Sequence, residues 1–191
     1  MTVASDIPNA ARLAFVGIEN RAAGRLAGQL LGRLIRQPGP VKVGLIAGSH
    51  LYRAHEEREA GCRALFRDDF PSVVALDLVE AHDDLNAARI GVRQMLESHP
   101  DLAGLYSIGA GNRGIAAALA DCGMQHKVVV VAHELTKHSR ASLLDGTFDV
   151  IIDQDPAMQA SRTIELMLQP ELASEPPQPI RPRVIFRENL P

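Results

Sequence analysis

Cysteine is scarce in this chain of 191 residues. Only Cys62 and Cys122 occur, too few for a disulfide framework, so a reducing compartment and a cytoplasmic location are expected. An excess of one charge is also missing: 20 basic against 23 acidic residues give a net charge of −3. A nucleic-acid surface would show clustered Lys and Arg and a high pI. No apolar run reaches the ~18 residues of a membrane span. Met1–Asn9 has neither the basic start nor the apolar stretch of a secretory leader. These absences exclude a membrane protein, a basic nucleic-acid binder, a disulfide mini-protein and a disordered chain. What is present, 46% hydrophobic and 23% charged residues, suits one compact domain, or a domain plus part of another, with no disulfide or metal staple.

Two patterns alternate along the chain. Short runs rich in Val, Ile and Leu predict strands at Leu13–Ile18, Val41–Ala47, Val73–Val79, Leu102–Ile108, Val128–Ala132 and Asp149–Asp153. Val128-Val129-Val130-Val131 is apolar at consecutive positions, which suggests burial on both faces of a sheet. Between the runs, apolar residues recur with helical period. Ala23, Leu26, Ala27, Leu30, Leu31 and Leu34 do so in Asn20–Gln37. Leu85, Ala88, Val92, Met95 and Leu96 do so in Asp83–Ser98, and Ala157, Ala160, Ile164, Met167 and Leu168 in Asp155–Leu168. Asp83 or Asp84 can cap one helix, Gly123 stops another, and Pro156 suits a first turn. Six βα units in succession predict an α/β fold, a mostly parallel sheet with helices on both faces. Glu171–Pro182, with four prolines, is expected to be an extended linker before a last strand at Val184–Phe186.

Ligands of such sheets bind at the carboxyl ends of the strands. That rule directs attention to Glu19–Asn20, Gly48–Arg58, Ser107–Arg113, His133–Thr136 and Asp153–Asp155. Gly109-Ala110-Gly111-Asn112-Arg113-Gly114 satisfies G-x-G-x-x-G between a predicted strand and a predicted helix, and Glu134 follows 20 residues after Gly114. This is the grammar of a dinucleotide site in a nicotinamide-dependent oxidoreductase. It comes after four βα units rather than in the first, and any tight βα turn favours glycine. His133-Glu134-Leu135-Thr136-Lys137-His138 has its histidines about 140° apart around a helix, which does not fit a zinc-protease pair. In Gly48–Arg58, His50, Tyr52, Arg53, His55, Glu56 and Glu57 crowd a charged stretch, which read blandly is a solvated face. Arg58, one turn before Gly61, can present paired donors to hydroxyls or a carboxylate, and Gln154 beside Asp155 can read a polyol. Ser49, Ser107 and Ser139 lack a nucleophile frame, and Cys62 and Cys122 read as packing residues.

Four segments in order carry a resemblance: Val16-Gly17-Ile18-Glu19-Asn20-Arg21-Ala22-Ala23-Gly24, Gly48-Ser49 with Arg58-Glu59-Ala60-Gly61, Val129–Glu134, and Ile151-Ile152-Asp153-Gln154-Asp155-Pro156. Together they resemble the effector-binding region of the LacI/GalR family of bacterial transcription regulators, itself similar to the periplasmic sugar-binding proteins. The resemblance implies a type I periplasmic-binding-protein-like fold. It implies 1–19 as the end of an N-terminal subdomain and 20–153 as a C-terminal effector-binding subdomain. Segment 154–191 would return to the first subdomain with the Pro-rich linker and last strand. It further implies that Arg58 grips the effector, that Gln154 reads a sugar hydroxyl and that Glu134 stands for the family's Asp. His133 replaces an aromatic, and Ser107 stands where an Asn-Asp contact is usual. The implied function is sensing of a sugar-like effector by a homodimeric regulator, with no catalytic residue, cofactor, metal or membrane partner. Operator DNA would be bound only through a headpiece that this sequence does not include. A periplasmic sugar-binding protein of an ABC transporter is the alternative.

Overall fold

The computed structural model describes every residue except Pro8, His50, Ala110 and 175–178. Two short strands, β1 (Thr2–Val3) and β2 (Phe15–Val16), pair in parallel as a small sheet of their own. The chain then runs through α1 (Asn20–Leu34), β3 (Val41–Ala47), α2 (Arg53–Asp69), β4 (Val73–Glu80) and α3 (Leu85–Ser98). It continues with β5 (Leu102–Ser107), α4 (Asn112–Asp121), β6 (Val129–His133), α5 (Lys137–Leu144), β7 (Val150–Asp153), α6 (Pro156–Leu168) and β8 (Arg183–Ile185). The large sheet has the order β4-β3-β5-β6-β7-β8 and is parallel except where β8 meets β7. The α/β class and the mostly parallel sheet expected from the sequence are what the chain adopts.

The continuous apolarity of the strands has the expected cause. Val43, Leu45 and Ala47 of β3, with Val131 and Ile152, pack under Ala27 and Leu31 of α1 and Cys62 and Phe66 of α2. Ile46, Val130, Ala132 and Ile151 face the other way, onto α3, α4 and α5 through Val92, Ile115, Leu119 and Leu143. The interiors of β3, β5, β6 and β7 are thus covered on both faces. Local chemistry sets the helix starts. Glu19 accepts from the Arg21 and Ala22 amides ahead of α1, and Asp84, rather than Asp83, caps α3 on Ala87 N at 2.8 Å. Thr136 and Ser139 form a capping box on α5, and Asp155 caps α6 before Pro156.

The C-terminal region departs from expectation. The last strand, grouped by the resemblance with a return to the first subdomain, instead lies antiparallel on β7 as an edge of the large sheet. The expected linker opens with a 3-10 turn at Pro170–Ser174; its Pro176 and Pro177 lie outside the described residues. α6 has its expected extent, and its main packing is on β2 and the 3-10 turn that follows it. Two short strands cannot cover its apolar stripe, so Ile164, Met167 and Leu168 stand exposed. The first predicted strand shrinks to Phe15–Val16, and Ile18 makes an isolated parallel bridge with Ile180.

Candidate functional site

A helix crossing places Arg58. A Cβ on Gly24 of α1 would lie 2.6 Å from the Arg58 carbonyl carbon, and one on Gly61 of α2 would lie 3.0 Å from that of Arg21. Only glycine allows backbones so close. The second helix therefore presses onto the first, and the Arg58 side chain is driven inward to 2% exposure. Its Nε donates to Asn20 Oδ1 and its Nη1 to the Ile108 carbonyl, both at 2.9 Å. Nη2 has no bond among the described residues. Burial lowers the guanidinium pKa, and the neighbouring Tyr106 and Glu134 oppose that shift. An arginine starts so far above neutrality that it remains a cation.

Glu134 and Gln154 leave adjacent parallel strands, β6 and β7, and meet at their ends. The Gln154 amide donates to a Glu134 carboxylate oxygen. Gln154 Oε1 is buried and has no partner among the described residues. Burial raises the Glu134 pKa, against the opposing effects of Gln154 and Arg58. Glu134 also has φ 70°, a left-handed conformation uncommon for a non-glycine residue.

Two of the expected ligand residues do not face the hollow. The His133 ring is fully buried on the α1/α2 side, 2.7 Å from the Tyr106 hydroxyl. Burial, then Arg58 and His55, hold its pKa well below 6.5, and burial raises that of Tyr106. The neutral phenol and the neutral imidazole share a hydrogen bond between Oη and Nε2, and His133 Nδ1 has no partner among the described residues. The period of 2 in β6 explains the placement: His133 follows Val131 inward. Ser107 is likewise buried, and its Oγ donates to Asn112 Oδ1 at 2.7 Å. The other end of that amide donates to the His133 carbonyl at 2.8 Å. Ser107 and the His133 backbone thus orient Asn112, which does line the hollow.

The hollow encloses about 600 Å³ at the carboxyl ends of the strands and gathers Arg58, Glu134 and Gln154 around one space. That volume falls in the range of small-molecule sites, ~300–1,000 Å³. Beyond those three, its wall takes Tyr52, His55, Asp83, Asn112, Arg113 and His138. The strand-end rule marks the segments holding Tyr52, His55, Asn112 and Arg113, but Tyr52 and His55 read there as part of a solvated face and Asn112 and Arg113 only as members of the glycine-rich turn. Ala4 and Ser5, beyond β1, also contribute, and no motif in the sequence pointed to them. The G-x-G-x-x-G turn, whose Ala110 lies outside the described residues, has packing reasons for its glycines. Gly111 takes φ 100° as the N-cap of α4, and a Cβ on Gly114 would meet the Leu85 carbonyl. Glu134, the acid a dinucleotide reading assigns to the ribose, is engaged with Gln154. Among the described residues no cluster of His, Cys, Asp and Glu could hold a metal ion, and no helix is long and apolar enough to cross a membrane.

No curated protein matches this chain. Solved structures do. GanP, a glucose-galactose binding protein from Geobacillus stearothermophilus, superposes with a TM-score of 0.89 at 23% identity, over 100% of this chain and 68% of that one. An ABC transporter solute binding protein from Burkholderia graminis, in complex with D-arabinose, gives 0.88 at 24% identity over 99% and 67%. Another from Agrobacterium vitis, bound with alpha-D-tagatopyranose, gives 0.84 at 23% identity over 98% and 66%. The chain thus spans about two thirds of the length of each. These likenesses establish the type I periplasmic-binding-protein fold. A family model described as periplasmic binding protein domain matches residues 1–170, and the chain belongs to that family.

Proposed function

We propose that this chain forms one wall of a cleft for a monosaccharide-like polyol, and that its protein serves as the sugar-binding component of a transport system. The observation that carries the reading is Arg58: a buried guanidinium lining the hollow, braced on Asn20 and Ile108, whose Nη2 has no bond among the described residues. Burying a cation whose donors are not all used is costly unless a ligand uses them. Glu134 and Gln154 Oε1, which has no partner among the described residues, supply acceptors nearby, and donors with acceptors in one array suit vicinal hydroxyls. Tyr52, packed edge-on against His55 at 5.2 Å on the same wall, offers an aromatic face for the apolar side of a sugar ring. The site binds; it performs no reaction. Solved proteins of similar fold carry sugars in a transport setting, which supports the transport reading.

A second reading is the effector domain of a LacI/GalR-type regulator, cytoplasmic and dimeric, acting on operator DNA through a headpiece outside this sequence. The Val16–Gly24 and Ile151–Pro156 segments favour it, as do two unpaired cysteines.

Thermal unfolding of the chain with D-glucose, D-galactose, D-arabinose and D-tagatose tests the site. A bound sugar at a hundredfold excess over Kd stabilises by ~2.7 kcal/mol. At least one sugar is expected to raise the midpoint of the parent chain and none to raise that of Arg58→Ala. No shift with any sugar, or an equal shift in the variant, refutes the assignment. Co-fractionation of the full protein with the periplasm or with operator DNA separates the two readings.

A further inference from the structure

Two residues at the strand ends adopt strained backbone conformations without being glycine: Glu134 with φ 70° and Asp155 with φ 55°. Such conformations persist where surrounding contacts over-determine them. Here one side chain holds the peptide that follows Glu134 and the amide of Asp155. The Asp153 carboxylate, 3% exposed, accepts from the Leu135 amide at 3.1 Å through Oδ1 and from the Asp155 amide at 3.2 Å through Oδ2. Leu135 follows Glu134 and Asp155 follows Gln154, so this carboxylate fixes the backbone of both cleft residues. A buried carboxylate needs a countercharge. Arg183 of β8 provides it: in register opposite Asp153, it donates from Nη2 to Oδ2 at 2.6 Å, and its Nη1 lies 3.6 Å from Asp155 Oδ2. Three residues earlier, the Ile180 amide donates to the Gly17 carbonyl at 2.9 Å, and Ile180 bridges Ile18 beside the small sheet. One segment therefore touches Gly17 and Ile18, just past the small sheet, at Ile180 and the cleft's fixing carboxylate at Arg183.

We propose that Arg183 is a positioning residue: it holds the Asp153 carboxylate on the Leu135 and Asp155 amides, and so couples the C-terminal strand to the placement of Glu134 and Gln154. The proposal rests on the reading of Glu134 and Gln154 as ligand residues. Arg183 touches no ligand; it acts through Asp153. A shift of the Ile180–Arg183 segment reaches both cleft side chains at once, because the two amides share one carboxylate.

The test compares Arg183→Ala and Arg183→Lys with the parent chain by NMR amide exchange. Affinity for the tightest binder among D-glucose, D-galactose, D-arabinose and D-tagatose is measured alongside by calorimetry. Arg183 is half exposed, so truncation leaves no cavity. In Arg183→Ala, exchange at the Leu135 and Asp155 amides is expected to rise and sugar affinity to fall, each roughly tenfold. Arg183→Lys, which keeps the charge, stays nearer the parent, and the β3 amides of Val43 and Leu45 are unchanged in both. A general structural role would speed exchange in β3 as well. Unchanged exchange at Leu135 and Asp155, or a rise shared by Val43 and Leu45, overturns the proposal. If the parent chain binds none of the four sugars, the proposed function fails, while the two amides still decide the role of Arg183.

Discussion

Gly24→Ala separates packing from helix propensity, because the two predict opposite signs. Replacing a glycine in a helix interior by alanine stabilises by ~1 kcal/mol on propensity alone. At Gly24 the new methyl would lie 2.6 Å from the Arg58 carbonyl carbon and 2.7 Å from its Cα. Carbon atoms in contact sit ~3.5–4.0 Å apart, so the helices must part by about 1 Å. The obstructing atoms are helix backbone, and no rotamer change can relieve them. Overpacking of this kind costs ~1–3 kcal/mol, and a rigid obstacle belongs at the upper end. The net expectation is destabilisation by ~2 kcal/mol, read in urea unfolding as a midpoint lower by roughly 1 M. Gly28→Ala is the control: its nearest neighbours are the end of the Leu65 side chain at 3.2 Å and the Cys62 carbonyl oxygen at 3.3 Å, both short of a hard clash, and its effect should lie within ~1 kcal/mol of zero. Because the displaced backbone is that of Arg58, Gly24→Ala should also draw the guanidinium off Asn20 and Ile108 and weaken sugar binding. A Gly24→Ala variant as stable as the parent, or less harmed than Gly28→Ala, refutes the crossing as the device that sets Arg58.

Acid sensitivity should trace to His133. Burial, with Arg58 and His55, keeps its folded pKa well below 6.5, so the unfolded chain takes up a proton that the folded chain refuses. This contributes no pH dependence above about 6.5, and below that stability falls by up to ~1.4 kcal/mol per pH unit. Glu134 and Asp149, raised by burial, act in the opposite sense at lower pH. The slope is therefore read between about pH 5.5 and 6.5, where His133→Asn should flatten it. An unaltered slope in that variant counts against the assignment. Thiol labelling should be sequential. Cys62 is fully buried, and burial pushes its thiol up to about 12, whereas Cys122 is half-buried. One equivalent of a disulfide reagent should react with the native chain and the second only on unfolding; two fast equivalents would contradict the burial of Cys62.

The sequence by itself determined the element order, the α/β class and the strand ends at which to look. Strands covered on both faces need unbroken apolar runs, and helices on a sheet need a 3.6-residue stripe, so β6 and α1 could be read from local pattern, as Val128–Ala132 and Asn20–Gln37, to within a few residues of their observed ends. That Arg58, Glu134 and Gln154 would share one hollow was legible too, because parallel strands deliver their carboxyl ends, and the helix starts that follow them, to one edge. Side-chain direction within that edge was not legible. His133 and Glu134 are consecutive, and only the pleat of β6 with the left-handed turn at Glu134 sends the first into the core and the second into the hollow. Ser107 became a brace for Asn112 for the same reason. The placement of β8 on β7, the exposure of Ile164 and Met167, and the joining of Arg183 to Asp153 rest on contacts between residues far apart in the chain. Hydrophobic period records that a face is buried, not which element covers it; that choice is made only when the whole chain packs.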